Sequence, residues 1–248
     1  MSQVELGRRM GYSDTAISFI ERVNRLPTPK FAVKADEVFE TGGTFVELYR
    51  RIKNTALLEG FEEFADCEAK CRKLRSFETG VIPGLFQTPE YAAALAAAAV
   101  RRGSITQDQA DERVAFLAAR QQRVLERRKP PLIYTVMDET CITRVVGGPE
   151  VMGPQLDHLV ELSARPNITM RVAPLSLGEL NPFVFPVFLL YLPDRSLVGY
   201  TETHARGYLE RAPATCAGWE RDYDQLPVES LSTVASLRVI RTVRRGYE

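Results

Sequence analysis

Short polar side chains are concentrated between positions 13 and 18, in the run Ser13-Asp14-Thr15-Ala16-Ile17-Ser18. An aspartate can accept a hydrogen bond from cytosine N4, and a threonine methyl can contact the methyl group of thymine. Asp14, Thr15 and Ser18 are therefore candidates for contacts with the base edges of DNA. Neighbouring side chains are candidates for phosphate contacts, which position a protein without specifying a sequence. The full candidate set is Gln3, Ser13, Asp14, Thr15, Ser18, Arg22, Asn24 and Lys30.

A second group with potential chemistry follows a predicted strand, in the run Glu202-Thr203-His204-Ala205-Arg206. Histidine is suited to proton transfer near neutral pH, so His204 with Glu202 is an alternative catalytic pair. Aromatic residues precede this run, and we expect any small-molecule pocket beside them. The predicted pocket residues are Phe183, Tyr200, His204 and Arg206. The same aromatic residues are also typical of a hydrophobic core.

Known catalytic and cofactor signatures do not occur in the sequence. It contains no nucleophile elbow, no glycine-rich phosphate loop and no Rossmann fingerprint. Cys67 and Cys71 lie four residues apart, but no second pair and no nearby histidine completes a zinc site. We therefore expect neither a metal nor a cofactor, and the sequence favours a protein that is not an enzyme.

The elements that position the first group read as two short helices joined by a glycine turn. The predicted helices span residues 2–10 and 13–23. Gly7 provides a small residue where two helices cross closely, and Gly11 can adopt the turn conformation that a residue with a Cβ resists. The Ser13 side chain can cap the second helix, whose start carries the acidic Asp14. Such a helix-turn-helix presents the start of its second helix to a DNA major groove.

The remaining pattern predicts an α+β protein with two domains. Helices are expected to about residue 58, which gives a small helical domain over 1–58 and a larger α+β domain over 59–248. In the larger domain, a strand–helix–strand unit is expected across 132–172. Thr88 and Thr106 begin the predicted helices 88–100 and 106–127, and Gln109 completes a capping box with Thr106.

Composition and charge exclude several classes of protein. Of the 248 residues, 45% are hydrophobic and 26% are charged, as in an ordinary globular protein. Thirty-two basic and thirty-two acidic residues give no net charge, so DNA binding would depend on a local patch. No stretch approaches the roughly 20 apolar residues that span a bilayer, and no signal peptide is recognisable. We therefore expect a cytoplasmic protein with no membrane contact.

Residues 3–29 resemble the xenobiotic-response-element (XRE), lambda-repressor-like class of helix-turn-helix domains. The rest resembles the large C-terminal domain of unknown function found in actinobacterial regulators of that class. The matching segments are Val81 to Ala92, Arg113 to Pro130, Asp138-Glu139, Val146 to Met152, Gln155-Leu156 and Leu159. The resemblance implies that the N-terminal domain binds DNA. It also implies that the C-terminal domain acts in dimerisation, ligand sensing or binding of a small partner protein.

The sequence departs from that class in two places. We expect the helix that normally precedes the pair to be missing, and Phe19 stands where an arginine is usual before Ile20-Glu21. We expect Val4, Leu6, Met10 and Ile17 to lose part of their cover as a result.

The sequence therefore predicts a DNA-binding transcriptional regulator that acts as a homodimer on double-stranded DNA and responds to a small-molecule effector or a small partner protein. One alternative is a C-terminal domain that acts as an enzyme or small-molecule binder beside a vestigial helix-turn-helix. Another is a protein that binds only a small partner protein.

Overall fold

The computed structural model describes residues 1–53, 57–203 and 206–247. The chain divides into two compact units, residues 1–55 and 56–248. Each unit has its own buried apolar cluster, and the C-terminal unit has a second one.

The N-terminal unit is helical over its described residues. Its helices are α1 (Gln3–Met10), α2 (Asp14–Glu21), α3 (Pro29–Phe39) and α4 (Thr44–Lys53). Local signals in the sequence explain where they begin, since Ser13 caps α2 and Thr28, followed by a proline, caps α3.

The expectation that this unit would lack cover is wrong for three of the four residues concerned. Leu6, Met10 and Ile17 are 8%, 3% and 0% exposed. They pack with Ala35 of α3, and the rings of Tyr12, Phe31 and Phe45 pack against the same cluster. Helices that follow the pair therefore supply the cover. Val4 is 67% exposed, as expected.

The C-terminal unit combines seven α-helices and six strands among its described residues. The helices are α5 (Phe61–Lys70), α6 (Pro89–Arg101), α7 (Gln107–Leu125), α8 (Glu139–Thr143), α9 (Pro149–Leu162), α10 (Pro213–Glu229) and α11 (Thr233–Arg245). The strands are β1 (Lys73–Glu78), β2 (Leu132–Asp138), β3 (Ile168–Ala173), β4 (Val187–Tyr191), β5 (Leu197–Glu202) and β6 (Gly207–Glu210). The predicted α+β class is confirmed.

The strands form one mixed sheet in the order β3-β2-β1-β4-β5-β6. β1, β2 and β3 run parallel, and β2–α8–α9–β3 is the strand–helix–strand unit that the sequence predicts. β4 pairs antiparallel with β1, and β5 and β6 continue the sheet as antiparallel strands. The sequence does not reveal β6, a four-residue strand. No helix in the described ranges has both the length and the apolar character needed to cross a bilayer.

Both faces of the sheet are covered, and strand alternation decides which side chain lies on which face. On β4, Phe188 and Leu190 join the larger cluster, which includes residues of α5, α9 and α11. Leu189 between them joins a smaller cluster with Tyr223 and Leu226 of α10. The two clusters therefore lie on opposite faces of the sheet.

Candidate functional site

The turn between α1 and α2 has the close packing that the sequence predicts. Gly11 ends α1 with a φ of +74°, and its backbone N–H donates to the Gly7 carbonyl. A Cβ on Gly7 would lie 2.6 Å from the Tyr12 carbonyl oxygen, so only glycine fits there without a shift of the backbone. The Ser13 Oγ accepts a hydrogen bond from the Ala16 N–H at 3.1 Å.

The start of α2 presents two of the proposed base-reading side chains to solvent. Asp14 and Thr15 are exposed, while Ile17 is fully buried on the other side of the helix. Asp14 Oδ1 accepts hydrogen bonds from the Thr15 N–H at 2.7 Å and from the Thr15 hydroxyl at 3.3 Å. Ser18, one turn along, is half-buried.

The proposed phosphate-contacting residues fall into two groups. Gln3 donates to Glu21 Oε2 at 2.6 Å, so its side chain joins α1 to the end of α2. Arg22, Asn24 and Lys30 are exposed, and no described acidic side chain forms an ion pair with Arg22 or Lys30. These cations are available to phosphates.

Arg8 and Arg9, unlike Arg22 and Lys30, form ion pairs with a described side chain: both contact the Glu5 carboxylate, at 3.0 and 2.9 Å. The hydrogen bonds from Arg9 and Arg8 lower the pKa of the Glu5 carboxyl. The basic residues after α2 are therefore the stronger candidates for a backbone contact.

The C-terminal unit contains a buried polar cluster that sequence reasoning missed. Arg120 of α7 and Glu68 of α5 form a two-bond ion pair of 2.6 and 2.8 Å, and their side chains are 8% and 0% exposed. The guanidinium lies over the ring of Phe64, 5.4 Å from its centroid. One signal was present, because Arg120 falls at helical spacing between the inward-facing Leu117 and Val124.

Two further carboxyl groups belong to this polar cluster. Burial, and then the charge of Glu202, raise the pKa of Glu78 to about 8. Burial also raises the pKa of Glu202, against the opposing effect of a hydrogen bond from the Tyr200 hydroxyl at 3.0 Å. Burial and the neighbouring carboxyl group thus favour the protonated form of Glu78.

The space beside the Glu68–Arg120 pair is small. The cavity there has a volume of about 10 Å³ and is also lined by Ser76 and Thr135, whose hydroxyls are 2.9 Å apart. That volume holds at most one water molecule. The polar cluster can therefore stabilise the packing of α5 and α7, but the cavity beside it has no room for a substrate.

Among the described members of the predicted pocket, the structure separates Phe183 from Tyr200. Tyr200 is fully buried and stacks on Phe64 at 4.1 Å, within the larger core. Phe183 packs against Phe77 at 5.9 Å, in the smaller cluster on the opposite face of the sheet. Arg206 is exposed and pairs with Glu59 at 3.1 Å.

The sequence also raised a catalytic histidine and a possible pair of metal-binding cysteines. His204, the histidine of the alternative catalytic pair, lies outside the described residues. Within the described ranges, no group of three or more histidine, cysteine or acidic side chains is arranged to hold a metal ion. The four cysteines are buried free thiols, and burial raises the pKa of Cys71 to about 12.

Comparison with known proteins gives one match. Residues 61–242 match the family described as "Domain of unknown function (DUF5753)". The match begins at the first residue of α5 and extends into α11. No significant match to a curated protein or to a solved structure was found.

Proposed function

The chain belongs to the DUF5753 family, and we propose that it is a DNA-binding transcriptional regulator of the XRE type. In this proposal, α2 enters the major groove of double-stranded DNA. The C-terminal unit, which contains the family domain, dimerises and receives the regulatory signal, either a small molecule or a small partner protein. The protein would act in the cytoplasm.

The observation that carries the proposal is the way in which α2 is presented. Its N-terminus is capped by Ser13, its first-turn residues Asp14 and Thr15 are exposed, and Ile17 anchors it in the core. A recognition helix needs this combination, because its N-terminal side chains contact bases while the rest of the motif holds its angle. Exposed Arg22 and Lys30 supply charge for phosphates nearby in the sequence.

The small excess of basic residues in the N-terminal unit limits how strongly a single copy can bind DNA. Residues 1–53 carry nine basic and seven acidic side chains, a small excess for a protein that must neutralise phosphates. Two copies on a two-fold site would double both the basic contacts and the bases read. Large apolar side chains exposed in the N-terminal unit also support a protein contact; they include Val4, Phe19, Val23 and Leu26.

The test is equilibrium binding of the full chain to DNA from upstream of its own coding sequence, with a scrambled duplex of the same composition beside it. Thr15→Ala removes an exposed hydroxyl and methyl from the start of α2. Thr44→Ala removes the same groups from an exposed position on α4, outside the helix pair. We expect Thr15→Ala to reduce the preference for the specific duplex about tenfold, by the loss of one base contact.

Two results would contradict the proposal. One is equal binding of the specific and scrambled duplexes by a folded protein. The other is an equal loss of preference in Thr15→Ala and Thr44→Ala, because the effect would then not come from α2.

A second candidate function is small-molecule binding by the C-terminal unit without any role for DNA. A cavity of about 270 Å³ between α6 and α7 favours it. Ligand binding that is unaffected by specific DNA, in a chain that has no preference among duplexes, would support this alternative.

A further inference from the structure

A cleft opens between the two helices that form an antiparallel pair after β1. Its α6 wall presents Ala92, Ala96 and Ala99, which recur at helical spacing, and its α7 wall presents Val114 and Leu117. The small α6 side chains leave a volume of about 270 Å³ between the helices. Pockets for small ligands have volumes of about 300–1,000 Å³, so this cleft, slightly below that range, suits only a small ligand.

The cleft has one charged end. Arg102 follows Ala99 by three residues, and Arg113 precedes Leu117 by four, so each is about one helical turn away. Both arginines line the cleft. The C-terminus of α6 and the N-terminus of α7 meet at the short turn between them, so both arginines lie toward that end. No acidic side chain lines the cleft among the described residues.

Arg102 and Arg113 are suited to binding an anionic ligand. Arg102 is exposed at the end of α6 and has no ion-pair partner within the described chain. Arg113 is half-buried, and that burial lowers the pKa of its guanidinium. A carboxylate near Arg113 would favour its charged form. Arginine binds carboxylates through two parallel hydrogen bonds, which gives orientation as well as attraction.

We propose that the α6–α7 cleft binds a small monocarboxylic acid with an apolar body. The carboxylate lies at the end formed by Arg102 and Arg113, and the apolar body lies along Ala96, Ala99 and Leu117. Apolar walls disfavour a ligand that is charged along its whole length, such as a polyphosphate. This site is independent of the proposed DNA contact, since all its residues belong to the C-terminal unit.

The test is calorimetric titration of the full chain with hexanoate, octanoate and 4-phenylbutyrate, up to low millimolar concentration. We expect binding of at least one acid. The neutral amide of the same body should bind about tenfold more weakly, since a hydrogen bond to a charged group contributes more than a neutral one. Inorganic phosphate should bind more weakly still, because it has no apolar body.

Matched variants locate the ligand. Arg102→Gln and Arg113→Gln should each weaken binding of the acid about tenfold. Arg101→Gln removes an exposed charge from the neighbouring position, which does not line the cleft, and should leave binding unchanged. Ala96→Leu should fill the cleft and abolish binding, whereas Ala93→Leu, at an exposed position on the same helix, should not.

Several outcomes would overturn the proposal. They are no binding of any of the three acids, equal binding of acid and amide, and equal loss in Arg101→Gln and Arg102→Gln. If Ala96→Leu fails to fold, as judged by circular dichroism, the arginine variants and the amide still decide the question. Because the titration contains no DNA, a failure of DNA binding cannot be mistaken for a failure of this proposal.

Discussion

The Arg120 guanidinium and the Glu68 carboxylate join α7 to α5 through two hydrogen bonds, from Nε at 2.6 Å and from Nη2 at 2.8 Å. Both side chains are inside the C-terminal unit, so each charge depends on the other for its solvation. The same two helices share a second ion pair, Arg123–Asp66 at 2.9 Å, whose side chains are 51% and 60% exposed. The two pairs join the same helices but differ in burial and in the number of hydrogen bonds, two in the buried pair and one in the exposed pair.

Removal of one partner from the buried pair should be costly. We expect Arg120→Met to lower the free energy of unfolding by about 3–5 kcal/mol, because it leaves Glu68 buried without a counter-charge. Arg123→Met should cost no more than about 1 kcal/mol, since water solvates both members of the exposed pair. Urea unfolding followed by the fluorescence of Trp219, the single tryptophan, measures both. Losses of similar size would show that burial of the pair does not matter.

The stability of the C-terminal unit should fall as the pH rises, because of Glu78. The pKa of this carboxyl is about 8 in the folded chain and 4.5 without the fold. Between pH 4.5 and about 8, Glu78 is protonated in the folded chain but ionised in the unfolded chain, so the free energy of unfolding decreases as the pH rises. Below and above this range, Glu78 contributes no pH dependence. The full effect is a few kcal/mol, at about 1.4 kcal/mol for each pKa unit.

Glu78→Gln tests this assignment, because an amide cannot ionise. Relative to the wild type, the variant should gain stability as the pH rises from 5 to about 8. Glu229→Gln, at an exposed position on α10, serves as the control and should follow the wild-type curve. Parallel curves for the wild type and Glu78→Gln would mean that another group holds the proton.

Gly7 should be more sensitive to a methyl group than Gly11. A Cβ on Gly7 would lie 2.6 Å from the Tyr12 carbonyl oxygen. A Cβ on Gly11 would have no neighbour within 4 Å, so the only cost there comes from the backbone φ of +74°. We expect a cost of about 1–3 kcal/mol for Gly7→Ala, as for other overpacked sites. Gly11→Ala should cost about 1 kcal/mol.

Amide hydrogen exchange of residues 1–25 measures this difference in the full chain, because local opening sets the exchange rate. Gly218→Ala, on α10 with open space around it, should leave that exchange unchanged. An effect of Gly11→Ala larger than that of Gly7→Ala would show that the close approach of the helices is not the constraint.

If the proposed function is correct, the basic residues after α2 should determine the salt dependence of DNA binding. Arg22→Ala and Lys30→Ala should each lower the slope of log K against log salt by about one, the value for one lost phosphate contact. They should weaken specific and scrambled duplexes alike. Lys34→Ala is the control, since that lysine pairs with Glu37 at 2.7 Å on α3. A slope unchanged in all three variants would place the phosphate contacts elsewhere.

Where helices begin could be predicted from the sequence, since a cap depends on residues three positions apart. The Thr88 hydroxyl accepts the Tyr91 N–H, and Thr106 and Gln109 form the complete capping box. Asp138 likewise caps α8 by accepting the Thr140 N–H at 2.9 Å. The glycine turn at Gly11 belongs to the same class of local signal. Each prediction is confirmed because the atoms that decide it are close in the chain.

The candidate sites were less predictable, because their residues are far apart in sequence. The sequence singles out Asp14 and Thr15, and the structure exposes both at the start of a capped helix. Phe183 and Tyr200 were expected in one pocket, but they lie on opposite faces of the sheet. Tyr200 lies on β5, whereas Phe183 precedes β4, and where the segment before a strand packs depends on contacts that are distant in sequence.

The sequence by itself determined the class of the fold, the start of most helices and the exposed start of α2. Hydrophobic spacing and capping depend on neighbours within a few residues, and they act before the chain is compact. Only the tertiary structure decided that β4 pairs with β1 and that Arg120 meets Glu68 across 52 residues. Those contacts depend on the packing of whole elements. The local sequence around a charged residue on a helix does not indicate whether its side chain is buried or exposed to solvent. The polar cluster and the α6–α7 cleft therefore became visible only in the fold.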